Sequence, residues 1–273
     1  MLLALRVLLL CAVTATALAR ADDAPFPGGA AAYLVEVQGQ ATWSRDADRA
    51  LPPASLTKIM TALLVLESGV PLDDAVGVSA AAARAGGTSL RLRAGEQMRV
   101  RDLLAAALLK SANDACLALA ERVAGSEAQF VVLMNRRAGE LGLTRTHFGN
   151  ACGFDTPGHR SSARDLATLT HAALRQPTFA DLVQAVSRSI STLGGRSFEL
   201  SNGNEIVGRY PGAIGVKTGF TARAGKCLIA LARRNGVSVL LVVLNAPNRW
   251  WDSTAMLDRA FAASPPASRS VAK

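Results

Sequence analysis

The chain has 273 residues, half of them hydrophobic, which is enough to bury a sizeable core as one large domain or two lobes. Its formal net charge is +9, but the arginines are scattered rather than gathered in one run with interleaved aromatic residues, which argues against nucleic-acid binding. No C-x-x-C pair or Cys/His ligand spacing occurs, so we expect neither a metal site nor a cofactor.

Residues 1–21 have the composition of a secretory signal peptide. The stretch MLLALRVLLLCAVTATALA combines an early arginine, a short apolar run and a small-x-small end. The apolar run is too short for a comfortable transmembrane helix, although an uncleaved anchor is the alternative. We therefore expect an exported protein, located in the periplasm or the extracellular cell envelope.

The elements that follow are predicted from hydrophobic periodicity. A hairpin at 31–37 and 40–44 precedes helices over 51–66, 101–123, 126–141, 163–176 and 179–186. Residues 71–100 are rich in turns, with Leu90 and Leu92 in a short strand or an extended loop. A second hairpin at 189–200, strands at 215–220, 226–232 and 237–244, and a closing helix at 251–262 complete the pattern. Strands at both ends predict one mostly antiparallel sheet, completed by bringing the termini together, plus a helical lobe.

The segment LPPASLTKIMTALLVL, residues 51–66, carries the first candidate motif. Two prolines precede the helical pattern, so Ser55 lies in the first turn and Lys58 lies on the same face. A lysine partly desolvated by apolar neighbours has a lowered pKa and can take the proton of a serine hydroxyl. Alone, S-x-x-K is more typical of a helix-start serine with a solvated lysine.

Two further short motifs lie downstream. Ser111-Ala112-Asn113 interrupts an apolar helical run, either as functional polar groups or as a break between two helices. Lys217-Thr218-Gly219 follows a predicted strand, where a lysine and a hydroxyl can hold a carboxylate and the glycine lets a substrate approach. Taken alone, that motif is typical of an exposed strand end. The order S-x-x-K, S-x-N, K-T-G is typical of penicillin-binding proteins and class A β-lactamases.

With these motifs in place, the chain resembles the D-alanyl-D-alanine carboxypeptidases of low molecular mass, the S11 serine peptidases. The blocks ASLTKIMTALLVLE, DLLAAALLKSANDACLALAE, THFGNACGFDTPGH and GVKTGFTARAGKCLIALARRNG carry the resemblance, which extends from about Tyr33 to Phe261. It implies an α/β (α+β) fold, with an antiparallel five-stranded sheet flanked by helices and an all-helical lobe, as in serine β-lactamases and DD-peptidases. The catalytic domain would cover residues 22–263.

The resemblance also implies a role for each site residue. Ser55 would attack a D-Ala-D-Ala bond in a peptidoglycan stem peptide, Lys58 would take its proton, and Ser111 would relay a proton to the leaving amine. The substrate would be held by the following residues: Asn113, Lys217, Thr218, Gly219, Phe220 and Arg249. β-Lactams would act as covalent inhibitors on the same serine. The backbone N–H groups of Ser55 and Phe220 would form the oxyanion hole.

Other functions stay open at this point. A DD-endopeptidase cutting peptidoglycan cross-links would use the same residues. A serine β-lactamase would need a deacylating glutamate, and the nearest E-x-x-L-N match, beginning at Glu140, ends in Thr144 instead of asparagine. A non-enzymatic envelope-binding protein would not need the complete motif set. The predicted disordered tail, residues 264–273, has two prolines and no apolar face, so we expect no stable membrane anchor there.

We expect structural roles for the histidines and the cysteines. His147, His159 and His171 lie in no metal or Ser-His motif and are expected to be surface or structural residues. The mature chain would hold three cysteines, an odd number, so at least one thiol stays free or pairs between chains. We expect these three to be small buried hydrophobic residues: Cys116, Cys152 and Cys227.

Overall fold

The computed structural model describes residues 29–264. The predicted signal peptide and nearly all of the predicted tail lie outside the described residues. The strands are β1 (Ala32–Val37), β2 (Gln40–Arg45), β3 (Ala75–Gly77), β4 (Gln97–Arg99), β5 (Ser187–Ser191), β6 (Ser197–Ser201), β7 (Ala213–Thr221), β8 (Gly225–Arg234) and β9 (Val237–Leu244). The α-helices are α1 (Lys58–Glu67), α2 (Ala80–Ala83), α3 (Val100–Ala105), α4 (Asn113–Ala124), α5 (Glu127–Glu140), α6 (Ala163–Leu174), α7 (Pro177–Gln184) and α8 (Arg249–Ala262).

Five strands form the main sheet, in the order β2-β1-β9-β8-β7, with every neighbouring pair antiparallel. The first strand of the described chain pairs with the last, and Leu34 lies opposite Val242. The predicted antiparallel sheet, completed by joining the two ends of the chain, is therefore confirmed. Its edge strand β7 carries the K-T-G motif.

The two faces of the sheet bury different sets of side chains. Alternate residues of a strand point to opposite faces, so Leu34 packs with Leu63 in the core shared with the helical lobe. Its neighbour Val35 packs on the other face with Met256 and Leu257 of α8. A bilayer crossing would need a longer and more apolar helix than any found between residues 29 and 264.

The predicted helix over 101–123 is divided in the structure. α3 continues into a π-helical turn, Ala106–Lys110, and Ser111 then adopts a left-handed backbone with φ of 63°. A left-handed residue cannot continue a right-handed helix, so α4 begins afresh at Asn113. The alternative interpretation of Ser111-Ala112-Asn113 as a break between two helices is thus confirmed as far as the backbone is concerned.

Leu90 and Leu92 lie in an extended loop rather than a strand. Their backbone N–H groups donate to the carboxylate of Asp114 on α4, at 3.0 Å for the shorter contact of each. A side chain therefore satisfies the groups that a neighbouring strand would otherwise bind. The antiparallel pair of short strands β3 and β4 was not predicted, because three-residue strands are too short to show a period of two.

Candidate active site

Ser55 lies in a tight turn at the start of α1. The 3-10 turn Ala54–Thr57 follows two prolines and runs directly into the α-helix, which begins at Lys58. Sequence periodicity predicted an α-helical first turn here, and the tighter 3-10 form still places both side chains on one face. Ser55 is half-buried, Lys58 is fully buried, and Lys58 Nζ lies 3.1 Å from Ser55 Oγ.

Three oxygen atoms surround the amine of Lys58. Besides Ser55 Oγ, these are Asn113 Oδ1 and the backbone oxygen of Cys152, each at 2.7 Å from Nζ. Burial, and secondarily the charge of Lys217, lowers the pKa of Lys58 well below its ordinary value of 10.5. A neutral amine has two N–H donors and one lone pair. When the amine is neutral, its two N–H groups can donate to the two closer oxygens and its lone pair can accept the proton of Ser55 Oγ.

Asn113 is held in the orientation that this arrangement needs. Its backbone N–H donates to Thr88 O and its Nδ2 donates to Gly86 O, both at 2.7 Å. With the amide nitrogen engaged there, Oδ1 points towards Lys58. The half-buried Ser111 lies two residues earlier, at the junction before α4, and its left-handed backbone costs roughly 1 to 3 kcal/mol. Such strain is typical of functional sites.

Strand β7 brings the K-T-G motif against the Ser55 turn. Lys217 is fully buried, whereas a strand lysine usually points to solvent, and burial followed by the charge of Arg249 lowers its pKa to about 7. A Cβ on Gly219 would lie 3.0 Å from Pro53 O and 3.2 Å from Ser55 N. Glycine therefore allows this approach without displacing either segment. Thr218 is half-buried.

At the end of β7, Phe220 and Arg249 complete the predicted set. Phe220 is 64% exposed, so its side chain lies at the rim and only its backbone joins the strand. Arg249 is the first residue of α8, and its Nη1 donates to the carbonyl of Gly219 at 2.9 Å. Its guanidinium also stacks over the Trp250 ring, 4.5 Å from the centroid. The structure thus brings Arg249 to the K-T-G strand, across 30 residues of sequence.

Cys116 and Cys152 are buried, as expected, and the structure adds that the two form a disulfide. They are 36 residues apart in the chain, and only the fold brings α4 against the loop after α5. The predicted export was the signal that could have suggested a bond, since disulfides persist in oxidising compartments. Cys227 is buried and free, as expected, and burial raises the pKa of its thiol to about 11.

His159 has a structural role that no sequence motif indicated. The N–H of Gly149 donates to its Nδ1 at 2.9 Å, so the ring proton is on Nε2, which donates to Thr57 Oγ1 at 2.8 Å. Thr57 in turn donates to Ala54 O at 2.8 Å. Burial lowers the pKa of His159 to about 4, so the ring is neutral at physiological pH. This chain of hydrogen bonds supports the turn that carries Ser55.

The fold and the grouping of these three motifs define the class of serine enzymes that includes the serine β-lactamases and the DD-peptidases. In the described part of the chain, no group of three or more His, Cys, Asp and Glu side chains could hold a metal ion. A family model described as D-alanyl-D-alanine carboxypeptidase, peptidase S11, matches residues 27–248. The chain belongs to this family, which confirms the resemblance seen in the sequence.

Individual relatives agree with this assignment. The chain is 37% identical to D-alanyl-D-alanine carboxypeptidase DacF of Bacillus subtilis over 84% of its own length, and it spans 61% of that relative. It is 33% identical to D-alanyl-D-alanine carboxypeptidase DacB2 of Mycobacterium tuberculosis, covering 91% of this chain and 88% of that one. The crystal structure of the Streptomyces K15 DD-transpeptidase superposes with a TM-score of 0.82 at 31% identity, covering 86% and 97% of the two chains. The predicted fold class is therefore confirmed.

Proposed function

We propose that this protein is a serine-type D-Ala-D-Ala carboxypeptidase that removes the terminal D-alanine from peptidoglycan stem peptides. The observation that carries the proposal is the environment of Lys58, a buried amine that contacts Ser55 Oγ, Asn113 Oδ1 and the carbonyl of Cys152. A serine hydroxyl is a weak nucleophile without such a base. Membership in the S11 family supports the substrate class.

Acylation begins at Ser55. Lys58 Nζ takes the proton from Ser55 Oγ as the Oγ–C bond forms at the carbonyl of the penultimate D-alanine. The backbone N–H groups of Ser55 and Phe220 stabilise the oxyanion. When the C–N bond breaks, the leaving D-alanine amine receives a proton through Ser111. A water molecule later hydrolyses the ester and restores the serine hydroxyl.

Substrate recognition falls to the β7 side of the site. Lys217 supplies positive charge, and Thr218 donates its hydroxyl to the terminal carboxylate of the substrate. Arg249 positions the end of the strand through Gly219 O. Asn113 contacts the substrate amide through the second N–H of its Nδ2, while Oδ1 stays on Lys58 and the first N–H stays on Gly86 O. β-Lactams carry a carboxylate and a reactive carbonyl, so they would acylate the same serine as covalent inhibitors.

The site of action follows from the same proposal. A peptidoglycan substrate lies outside the cytoplasm, and the signal-like residues 1–21 would direct the chain there. We propose a catalytic domain over residues 22–263, located in the periplasm or the extracellular envelope.

The first test is acylation by benzylpenicillin. The purified mature protein is incubated with the drug while intact mass and free drug are followed over time, with Ser55→Ala as the control. A lasting adduct that is absent from Ser55→Ala supports the proposal. Drug hydrolysis without an adduct would indicate a β-lactamase, and untouched drug would indicate a binding protein.

A second assay separates the two peptidase activities. D-Alanine release is measured from a stem peptide ending in D-Ala-D-Ala, and in parallel the conversion of a cross-linked dimer into its two stem peptides is measured. Release from the monomeric peptide at the higher rate supports the carboxypeptidase. Faster cleavage of the dimer would instead identify an endopeptidase, a name that some matching relatives carry.

A further inference from the structure

The two groups that orient Lys58 come from separate segments of the chain. Asn113 Oδ1 belongs to the first residue of α4, and the oxygen of Cys152 belongs to the loop at residues 150–154. The disulfide joins these same two segments. Cys116 lies one helical turn after Asn113, and Cys152 is itself the acceptor residue. A covalent link therefore runs from one acceptor of Lys58 to the other.

The loop has a well-defined shape of its own. Asn150 Oδ1 accepts from three successive backbone N–H groups, those of residues 152, 153 and 154. Glu127 of α5 accepts from the N–H of Ala151, and Thr61 of α1 donates to its carbonyl. These hydrogen bonds attach the loop to α1 and α5, but they do not attach it to α4.

The start of α4 is likewise held from another side, by the carbonyl oxygens of Gly86 and Thr88. In the described part of the chain, Lys58 bridges α4 and the loop, and the direct contacts between these two segments pass through sulfur. They are the disulfide itself, a contact of Cys116 Sγ with Ala151 O at 3.3 Å, and one of Cys152 Sγ with Asn113 O at 3.7 Å. The disulfide is therefore a direct covalent link between the two acceptors, in addition to the packing of α4 and the loop against α1 and α5.

We propose that the Cys116–Cys152 disulfide is a positioning device for Lys58, which keeps its two acceptors at the spacing that aims its lone pair at Ser55 Oγ. This inference rests on the proposed function of Ser55 and Lys58. Without the bond, α4 and the loop relax apart, the amine turns towards whichever acceptor stays closer, and proton transfer from the serine slows. Non-covalent binding of a β-lactam on the β7 side is unaffected, because Lys217 and Thr218 do not touch the disulfide.

The experiment compares the double variant Cys116→Ala/Cys152→Ala with the wild-type protein and with Cys227→Ala. Cys227 is a matched control, since it is also a buried cysteine but forms no disulfide. Rapid-mixing acylation by a fluorescent penicillin separates the acylation rate constant from the dissociation constant of the initial complex. Circular dichroism verifies the fold of each protein.

For the double variant, the acylation rate constant is expected to fall roughly 10- to 100-fold, a larger factor than any rise in the dissociation constant through Asn113, because small displacements of a catalytic group have effects of that size. Cys227→Ala should match the wild type. A folded double variant that acylates at the wild-type rate would overturn the inference. Absence of labelling in the wild type would instead overturn the proposed function, and the inference with it.

A second measurement applies if the double variant does not fold. The folded wild-type protein is reduced with a phosphine and water, which break the S–S bond and add one hydrogen to each sulfur as the phosphine becomes its oxide. Intact mass confirms the gain of two hydrogens. Slower acylation that recovers on reoxidation supports the proposal, whereas an unchanged rate after complete reduction contradicts it.

Discussion

At the scale of single residues, two buried lysines determine the electrostatics of the candidate site. Burying an ammonium group is costly unless it is paired or gives up its proton. Burial lowers the pKa of Lys58 well below its ordinary value, and it lowers that of Lys217 to about 7. Each lysine is also placed beside another positive group, Lys217 for Lys58 and Arg249 for Lys217. The pair can therefore hold one neutral base and one titrating cation.

Acylation should depend on pH through both lysines. The rate rises as Lys58 loses its proton and falls as Lys217, which must stay charged, loses its own above about pH 7. In Lys217→Arg the guanidinium stays protonated, so the alkaline limb of the profile should move to higher pH. The measurement is the second-order rate of penicillin acylation against pH. Lys226→Arg, an exposed change on β8, serves as control, and an unmoved limb in Lys217→Arg would contradict the assignment.

His159 makes a separate contribution to the pH dependence of stability. Its pKa is about 4 when folded, against 6.5 for an ordinary histidine, so between these values the unfolded chain binds more protons and folding stability falls as pH falls. From pH 7 to pH 5 the loss is about 2 kcal/mol. His159→Gln keeps a donor and an acceptor but does not titrate.

The free energy of unfolding of the wild-type protein and of His159→Gln is measured with urea at pH 7 and at pH 5. The difference between pH 7 and pH 5 should be smaller in His159→Gln by about 2 kcal/mol. His171→Gln is the comparison, because His171 pairs with Glu36 at the surface, away from the Ser55 turn. Equal pH dependence in the wild type and His159→Gln would mean that the buried ring does not govern acid sensitivity.

At the scale of elements, the Ser55 turn is enclosed by two glycines. Gly219 of β7 approaches it from one side, and a Cβ there would meet Pro53 O and Ser55 N. Gly153 approaches from the loop side with a positive φ of 90°, and a Cβ there would overlap the carbonyl of Ala54. The nucleophile is thus positioned by backbone packing against β7 and against the loop that also supplies the Cys152 carbonyl.

This packing predicts the effect of Gly219→Ala. The added methyl must displace either β7 or the turn by a few tenths of an ångström, so acylation should fall roughly 10-fold while the protein stays folded. Gly77→Ala is the matched control in another strand, where a Cβ meets nothing within 4 Å. Penicillin acylation kinetics and thermal melting are measured for both Gly219→Ala and Gly77→Ala. If Gly219→Ala acylated at the wild-type rate, the Ser55 turn could shift without loss of function, and the prediction would be wrong.

At the scale of the whole molecule, the sheet is held by the pairing of β1 with β9, and both faces of these strands are covered. Core residues from β9 alternate between the helical lobe and the α8 side, as Val242 and Val243 do. The outer strand β2 is half-buried or exposed, and the β5–β6 hairpin is separate from the main sheet. Stability should therefore be unevenly distributed.

Hydrogen exchange measures that distribution. Amides of β8 and β9 should exchange slowest, near the rate of global unfolding, because their hydrogen bonds break only when the core opens. Amides of the β5–β6 hairpin should exchange faster by orders of magnitude, since its strands are largely exposed. Mass-spectrometric exchange on peptides from both regions gives the comparison. Equal protection would show that the hairpin unfolds only together with the main sheet.

Local sequence determined much of this protein. The three motifs, most helix positions and the antiparallel sheet were predicted because periodicity and turn residues act over a few neighbouring positions. Ser55 and Lys58 share a face because they are three residues apart. The catalytic and binding roles of the site residues are predictions that the penicillin acylation experiments test.

Only the tertiary structure decided the surroundings of those residues. The Cys152 carbonyl beside Lys58, the disulfide to Cys116 and the support of the Ser55 turn by His159 join positions 36 to 102 residues apart. No periodicity encodes such contacts, because they depend on how α4, β7 and the loop at residues 150–154 pack together. The depressed pKa of Lys217 has the same origin. Burial on a sheet edge is a property of the assembled core, and a strand sequence alone predicts a solvated lysine.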